Sequence, residues 1–302
     1  METSNQKPPR YEWGPFQLKE GVSVLDIRYD PVFKAVFTKE TVESRGALSS
    51  LISALIGRNV KVDAIIANEP PVDDLRQRYL RFDVACVTEE GELVNVEMSF
   101  NPDPDEPVRL EYYSARLFVG QDVHGEDKDY SGLKETYQIA ILSKYRFFPD
   151  EELIHNFIYY DPDNRISLGG RTKIITVELV KTKPIAEKPV EEMKNTEHWA
   201  VFFEYLTDEA KKAKIIDIIN HEEGIAMAVE TLSKITKDEI EYARMTTLLK
   251  SELDYQSGMT HARRSGLKEG KLIIAKNLLA EGSTPEFVQR ITGLSLEEIT
   301  LL

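Results

Sequence analysis

The sequence predicts an α/β (α+β) domain built on one mixed sheet, followed by a region that is almost wholly helical. Three observations predict it. Between residues 25 and 181, segments with apolar residues at helical spacing alternate with short segments rich in β-branched residues. The stretch LRFDVACVTEEGELVNVEMSF (80–100) reads as a hairpin turned at Glu89-Glu90-Gly91. Beyond Pro189 the helical period takes over.

The elements follow in order. Residues 1–20 mix Pro, Gly and polar residues without a period and read as an arm. Phe33 to Phe37 is a short helix; Asp30 is expected to cap it, with Pro31 at its first position. A longer helix runs from Gly46 to Ile56, its apolar residues at 48, 51, 52, 55 and 56, and Gly57 is its stop. VKVDAIIAN (60–68) is a strand that EPPVDD ends. The 80–100 hairpin comes next, then a Pro- and Asp-rich loop, then a helix over 108–123. A strand lies within 135–147, and 155–181 reads as another hairpin turned at Asp161-Pro162-Asp163-Asn164. KTKPIAEKP (181–189) is a connector. Amphipathic helices cover 198–206, 211–235 and 237–256. Three short helices close the chain, parted by Gly282 and Gly293. Thr284-Pro285 starts one, and Ser295 with Glu298 forms a capping box on the last. The expected division is an arm over 1–20, a core over 21–181, a helical region over 182–260 and a helical tail over 261–302.

Composition narrows the function. The formal net charge of −14 argues against a general nucleic-acid coat but leaves room for one local basic face. Cys86 is the one cysteine, so neither a disulfide framework nor a CxxC metal site is expected. The five histidines have no HxxxH or HExxH spacing. The first residues lack the apolar stretch of a signal peptide and no run is long enough to span a bilayer, so a cytoplasmic protein without membrane partners is expected.

The chemistry gathers in the 80–100 hairpin. Side chains alternate along a strand, which sets Asn95, Glu97 and Ser99 on one face and Val94, Val96 and Met98 on the apolar other. Pairing about the turn, with positions summing to about 180, puts Asp83 across from Glu97 on the face away from the core. Two carboxylates so close repel, and one titrates upward unless a cation lies between them. A Mg²⁺ ion held by one or two carboxylates, waters and phosphate oxygens resolves that repulsion and serves phosphodiester hydrolysis. The ordinary alternative is a solvent-facing polar pair, with Arg81 on Glu97.

The order of elements around the pair resembles the PD-(D/E)XK restriction-endonuclease core. The chain is similar, more closely, to the PD-(D/E)XK nuclease family transposases, the Rpn group of recombination-promoting nucleases. The pieces that carry this are DPVFKAVF (30–37), LSSLISALIG (48–57), RFDVACVTEEGELVNVEMS (81–99), RLEYYSARLFVGQ (109–121), IAILSKY (139–145), IITVELVK (174–181) and the tail 269–299. The resemblance implies a metal-dependent DNA nuclease in which Asp83 and Glu97 hold Mg²⁺ or Mn²⁺, with the Met98 carbonyl as a further ligand. It implies DNA as partner, and a homodimer where both strands are cut. The water-positioning residue, two after the Glu, is usually Gln in the group and Lys in the wider superfamily. Here it is Ser99, which can donate a hydrogen bond but carries no charge. Lys61 on the preceding strand is a candidate to supply that charge. Asp30 and Lys34, and Arg109 with Tyr113 one helical turn on, are further candidates near the site. The basic stretch HARRSGLKEGK (261–271) is a candidate phosphate contact or a solvated helix face. The final three helices, in the tail 261–302, resemble a helix-turn-helix in outline, but the last, SLEEITLL, is acidic and apolar and matches a DNA groove poorly, so packing or oligomerisation is the role expected of it. The rival expectation is a degenerate member that kept the scaffold, lost turnover and acts as a binding or regulatory protein.

Overall fold

A computed structural model describes residues 24–66, 82–102, 105–121, 129–237, 263 and 266–302. The expected arm (1–20), most of the helix expected over 237–256 and part of the basic stretch 261–271 lie outside the described residues. The chain forms two compact units, Met1–Ala243 and Arg244–Leu302.

In chain order the first unit has helices α1 (Asp30–Phe37) and α2 (Val42–Ile56), strands β1 (Val62–Ile65), β2 (Val84–Thr88) and β3 (Leu93–Ser99), and helix α3 (Glu106–Val119). Strands β4 (Thr136–Leu142), β5 (Ile154–Phe157), β6 (Tyr160–Asp161), β7 (Ile166–Ser167) and β8 (Thr172–Glu178) follow. Helices α4 (Asn195–Tyr205), α5 (Lys212–His221) and α6 (Glu223–Lys237) come last. Six strands make one mixed sheet in the order β1-β2-β3-β4-β8-β5. Strands β3, β4 and β8 run parallel, while β1, β2 and β5 pair antiparallel. The expected 155–181 hairpin is the β5–β8 pair, with β6 and β7 as a smaller hairpin at its tip.

Local chemistry explains the boundaries. Thr41 caps α2 by accepting from the Ser44 N–H, and Gly57 ends it at φ 83°, a left-handed conformation that a side chain would strain. Gly91 turns the β2–β3 hairpin at φ 81° for the same reason. The segment 211–235, expected as one helix, breaks at Glu222, whose backbone is extended (φ −110°, ψ 107°). Tertiary contacts explain the break. The Glu222 carboxylate accepts from Ser50 Oγ at 3.2 Å, and α2 crosses so close that a Cβ on Gly224 would lie 2.1 Å from Ser50 Cβ. α6 then continues through Thr236 and Lys237, where a new helix was expected to open.

The sheet is covered on both faces. One carries Val94, Val96, Met98, Ile139, Ile141, Ile175 and Val177, all buried. On α1 and α4, Phe33, Phe37, Trp199 and Phe203 stack ring against ring at 4.8–6.4 Å. The other face receives α3, whose Leu110 packs with Ala140 and Leu142 while Leu117 packs with Phe82 and Ala85. The Asp83–Glu97 face, expected from the alternation to lie away from the core, is buried instead, because a parallel β3–β4 pair needs a crossover and α3 is that crossover.

The second unit is a helix through 266–280 (α7), α8 (Pro285–Thr292) and α9 (Leu296–Thr300) around Ala275, Val288, Leu294 and Ile299. Both predicted caps form. Thr284 accepts from the Phe287 N–H, and Ser295 and Glu298 bond each other's backbone. Gly293 ends α8 at φ 67°.

Candidate active site

Asp83 sits immediately before β2, and its position is fixed by strand pairing. Val84 pairs Val96 and Ala85 pairs Asn95, so the predicted register, summing to 180, is the one formed. At the end of the ladder the two acids take over its hydrogen bonds. The Asp83 N–H donates to Glu97 Oε1 at 3.2 Å, and the Met98 N–H donates to Asp83 Oδ2 at 3.0 Å. Each carboxylate is locked by the other's strand. Asp83 is 9% and Glu97 2% exposed.

Burial raises both pKa values. Asp83 is pushed well above the usual carboxylate range by desolvation first, then by repulsion from Glu97 and Asp30, with Lys34 opposing. Glu97 is raised by desolvation, against hydrogen bonds from Asn95 and the Asp83 backbone and the charge of Arg109.

The opposing cation comes from α1. Lys34 Nζ lies 3.1 Å from Asp83 Oδ1 and 2.8 Å from Asp30 Oδ1. Burial disfavours its charge, but Asp83 and Asp30 outweigh burial and raise its pKa, so it stays an ammonium. Asp30 is not the helix cap that the sequence suggested. Tyr29 holds the cap position without a side-chain bond, and Asp30 instead pairs Lys34 one turn on. Lys61 does not serve the pair. It lines a separate cavity with Arg58, Asn59, Thr88 and Glu89, at the far end of β2 from Asp83.

On the other side stands α3. Arg109 Nη2 is 3.9 Å from Glu97 Oε2 and 2.7 Å from Glu106 Oε1, and its guanidinium lies 5.2 Å from the centre of the Tyr113 ring. Burial opposes the Arg109 charge, but Glu106 and Glu97 more than offset it. The Ser99 hydroxyl donates to Glu106 Oε1 at 3.0 Å and accepts from Arg109 Nη2 at 3.1 Å. Ser99 thus stands beside the pair, tied to α3.

Beneath Glu97, Asn95 Nδ2 donates to Glu97 Oε1 at 2.8 Å and to Gln138 Oε1 at 3.0 Å. Sequence reasoning put Asn95 on the face of Glu97 without a role and passed over Gln138 and Glu106. Asn95 and Gln138 were detectable as amides set between buried apolar neighbours in their strands. Glu106 gave no such signal, because an acid in the first turn of a helix is ordinary.

Among the described residues no group of three His, Cys, Asp or Glu is arranged to hold a metal. The donor set is two buried carboxylates. That suits a hard cation which keeps much of its shell as water and phosphate oxygen.

The chain matches a family model described as PD-(D/E)XK nuclease family transposase over residues 27–262. It matches a second, described as Rpn/YhgA-like nuclease family, C-terminal HTH domain, over residues 268–302. No curated protein and no solved structure matches it.

Proposed function

On the premise that the chain belongs to the PD-(D/E)XK nuclease family transposases, we propose that it hydrolyses DNA phosphodiesters with a divalent metal ion held by Asp83 and Glu97. One observation carries the reading. Two buried carboxylates, Glu97 in β3 and Asp83 just before its neighbour β2, are locked to each other's backbone, each with a raised pKa, which is the electrostatic state a bound cation relieves. The residues fit Mg²⁺ or Mn²⁺ on donor chemistry, since both offer hard oxygens. The Met98 carbonyl is the third donor we assign, because the Met98 N–H already points at Asp83. Such an ion, when bound, makes water a better nucleophile and offsets charge on the phosphate.

The chain's own residues do the rest. Lys34 supplies the positive charge that Ser99 lacks, and its ammonium orients a water or a phosphate oxygen beside Asp83. Arg109 faces the phosphate from the opposite side, next to Glu97. Ser99 is assigned the role of holding Arg109 rather than water, since its hydroxyl already bonds Glu106 and Arg109. Asn95 holds the Glu97 carboxylate still. The family match of the last helices supports DNA as partner, with α8 and α9 as a helix-turn-helix. Cutting both strands would take two copies of the site, hence a homodimer, and DNA as substrate suits a cytoplasmic protein.

The occupied hydroxyl of Ser99 also favours a second reading: a degenerate member that binds DNA or a regulatory partner without turnover. Nicking of supercoiled plasmid with Mg²⁺ or Mn²⁺, wild type beside Asp83→Ala, separates the two. Metal-dependent nicking lost in the variant is the expected result. Absent nicking, or equal nicking by both proteins, would leave the binding reading.

A further inference from the structure

A cavity of about 350 Å³ opens between α3 and the outer strands. Glu106 belongs to both places: it lines the cavity and holds Ser99 and Arg109. The walls are mainly apolar and aromatic. Leu110 comes from α3, and Phe148, Phe157 and Tyr159 from the loop before β5, its end and the tip beyond it. Phe157 and Tyr159 remain 40% and 57% exposed, large rings left facing solvent. Tyr159 rests on bare backbone, since a Cβ on Gly170 would stand 2.9 Å from its ring.

Two polar groups in this wall are unsatisfied. Ser114 and Thr176 both line the cavity at 2% and 1% exposure, and neither hydroxyl has a hydrogen-bond partner among the described residues. Leaving a buried hydroxyl unmade is costly, so the pair points to a ligand with a hydrogen-bonding edge. A purely apolar ligand, such as an acyl chain, would leave them unmade. No Lys, Arg or His lines the cavity among the described residues, while Glu106 and Glu111 do, so a phosphate is repelled from it. What fits is a flat, neutral ring that stacks on aromatic side chains and bonds hydroxyls through its edge. The volume is at the lower end of the ~300–1,000 Å³ of small-molecule sites.

We infer that this cavity takes one unstacked nucleobase, from the strand whose phosphate lies at Asp83 and Glu97. The source of the base rests on the nuclease reading, whereas the pocket does not. The phosphate would stay outside with Arg109 while the base turns inward past Glu106. Hydroxyls both donate and accept, so several bases are admitted. The carboxylates accept from an exocyclic amine, which favours adenine and cytosine over thymine.

The test is saturation-transfer NMR with millimolar deoxynucleoside 5′-monophosphates on the full chain, together with plasmid nicking. Three proteins are compared: wild type, Ala115→Phe, which fills the mouth from an exposed position, and Thr176→Val, which removes one hydroxyl at equal size. Circular dichroism checks their folding. Base protons are expected to receive saturation in wild type, more for dAMP and dCMP than for dTMP. The signal should vanish in Ala115→Phe and fall severalfold in Thr176→Val. No base saturation in wild type, or equal saturation in folded Ala115→Phe, overturns the proposal. Base binding without Asp83-dependent nicking defeats only the nuclease reading, and nicking without base binding defeats only the pocket.

Discussion

Lys34 Nζ stands 3.1 Å from Asp83 Oδ1, although Lys34 lies in helix α1 and Asp83 just before strand β2, 49 positions further along the sequence. That contact gives the acid pair an ammonium on its α1 side, a charge that the Ser99 hydroxyl on the α3 side does not carry. Lys34→Met is therefore expected to lower metal-dependent nicking by about 10²–10³-fold, the size of a lost electrostatic group in an active site. Circular dichroism should stay unchanged. Nicking within threefold of wild type would remove Lys34 from the site.

The Ser99 assignment predicts a smaller effect. If Ser99 holds Arg109, Ser99→Ala leaves the direct Arg109–Glu106 pair in place, and nicking should fall less than about tenfold, one hydrogen bond's worth. Arg109→Ala should cost more than Ser99→Ala. A loss of about 10²-fold or more in Ser99→Ala, equal to that in Lys34→Met, would return the water-positioning role to the serine.

Glu97 carries a pH signature. Its pKa in the folded chain is raised, chiefly by burial, so the folded state binds its proton more tightly than the unfolded state. Stability is thus full at pH values below the ordinary carboxylate pKa and is lost as pH rises toward the raised one; Asp83 acts in the same direction. Glu97→Gln removes the charge and its repulsion of Asp83. Thermal melts at pH 4 and pH 8 should show wild type losing more Tm across that interval than the variant. Adding Mg²⁺ at pH 8 should raise the wild-type Tm and leave that of Glu97→Gln nearly unmoved. A variant that falls as steeply as wild type would show that the pair is not strained.

A second buried network holds the wall of the aromatic cavity. Lys181 Nζ lies 2.5 Å from Glu178 Oε2 and 3.1 Å from Asp150 Oδ1, and the Phe147 and Phe148 N–H groups donate to Glu178 Oε1 at 2.6 and 3.3 Å. Glu178 is fully buried, and Lys181 nearly so. Lys181→Met leaves that carboxylate without its cation, a loss of about 3–5 kcal/mol for a buried pair broken on one side. Chemical denaturation should show it as a lower midpoint with an unchanged slope. A loss under about 1 kcal/mol, the size of an exposed pair, would mean that water reaches Glu178.

Much of this fold is legible in the sequence. Helical spacing marked α2, alternation marked β3, and Gly57, Gly91 and Gly293 marked the ends where a left-handed residue is needed. The β2–β3 register followed from the turn, and with it the juxtaposition of Asp83 and Glu97. The break at Glu222 was not legible, because a bond to Ser50 from α2 makes it and no local signal announces it. Asp30 looked like a cap for an equally physical reason. Cap chemistry and the i,i+4 pair with Lys34 are both local, and what favours the pair is that Lys34 also meets Asp83, which depends on where α1 is set down.

The sequence by itself determined the order of the strands and of most helices, the caps of α8 and α9, and the two carboxylates of the hairpin. Periodicity, turn chemistry and strand alternation act over a few residues and can be read along the chain. Tertiary structure alone decided that the carboxylate face is buried beneath α3, that Lys34 rather than Lys61 meets Asp83, and that Ser99 is bound to Arg109 and Glu106. Those outcomes turn on which surfaces α1 and α3 bury against the sheet. Apolar burial has no direction of its own, so it sets the polar partners only once the whole core has closed.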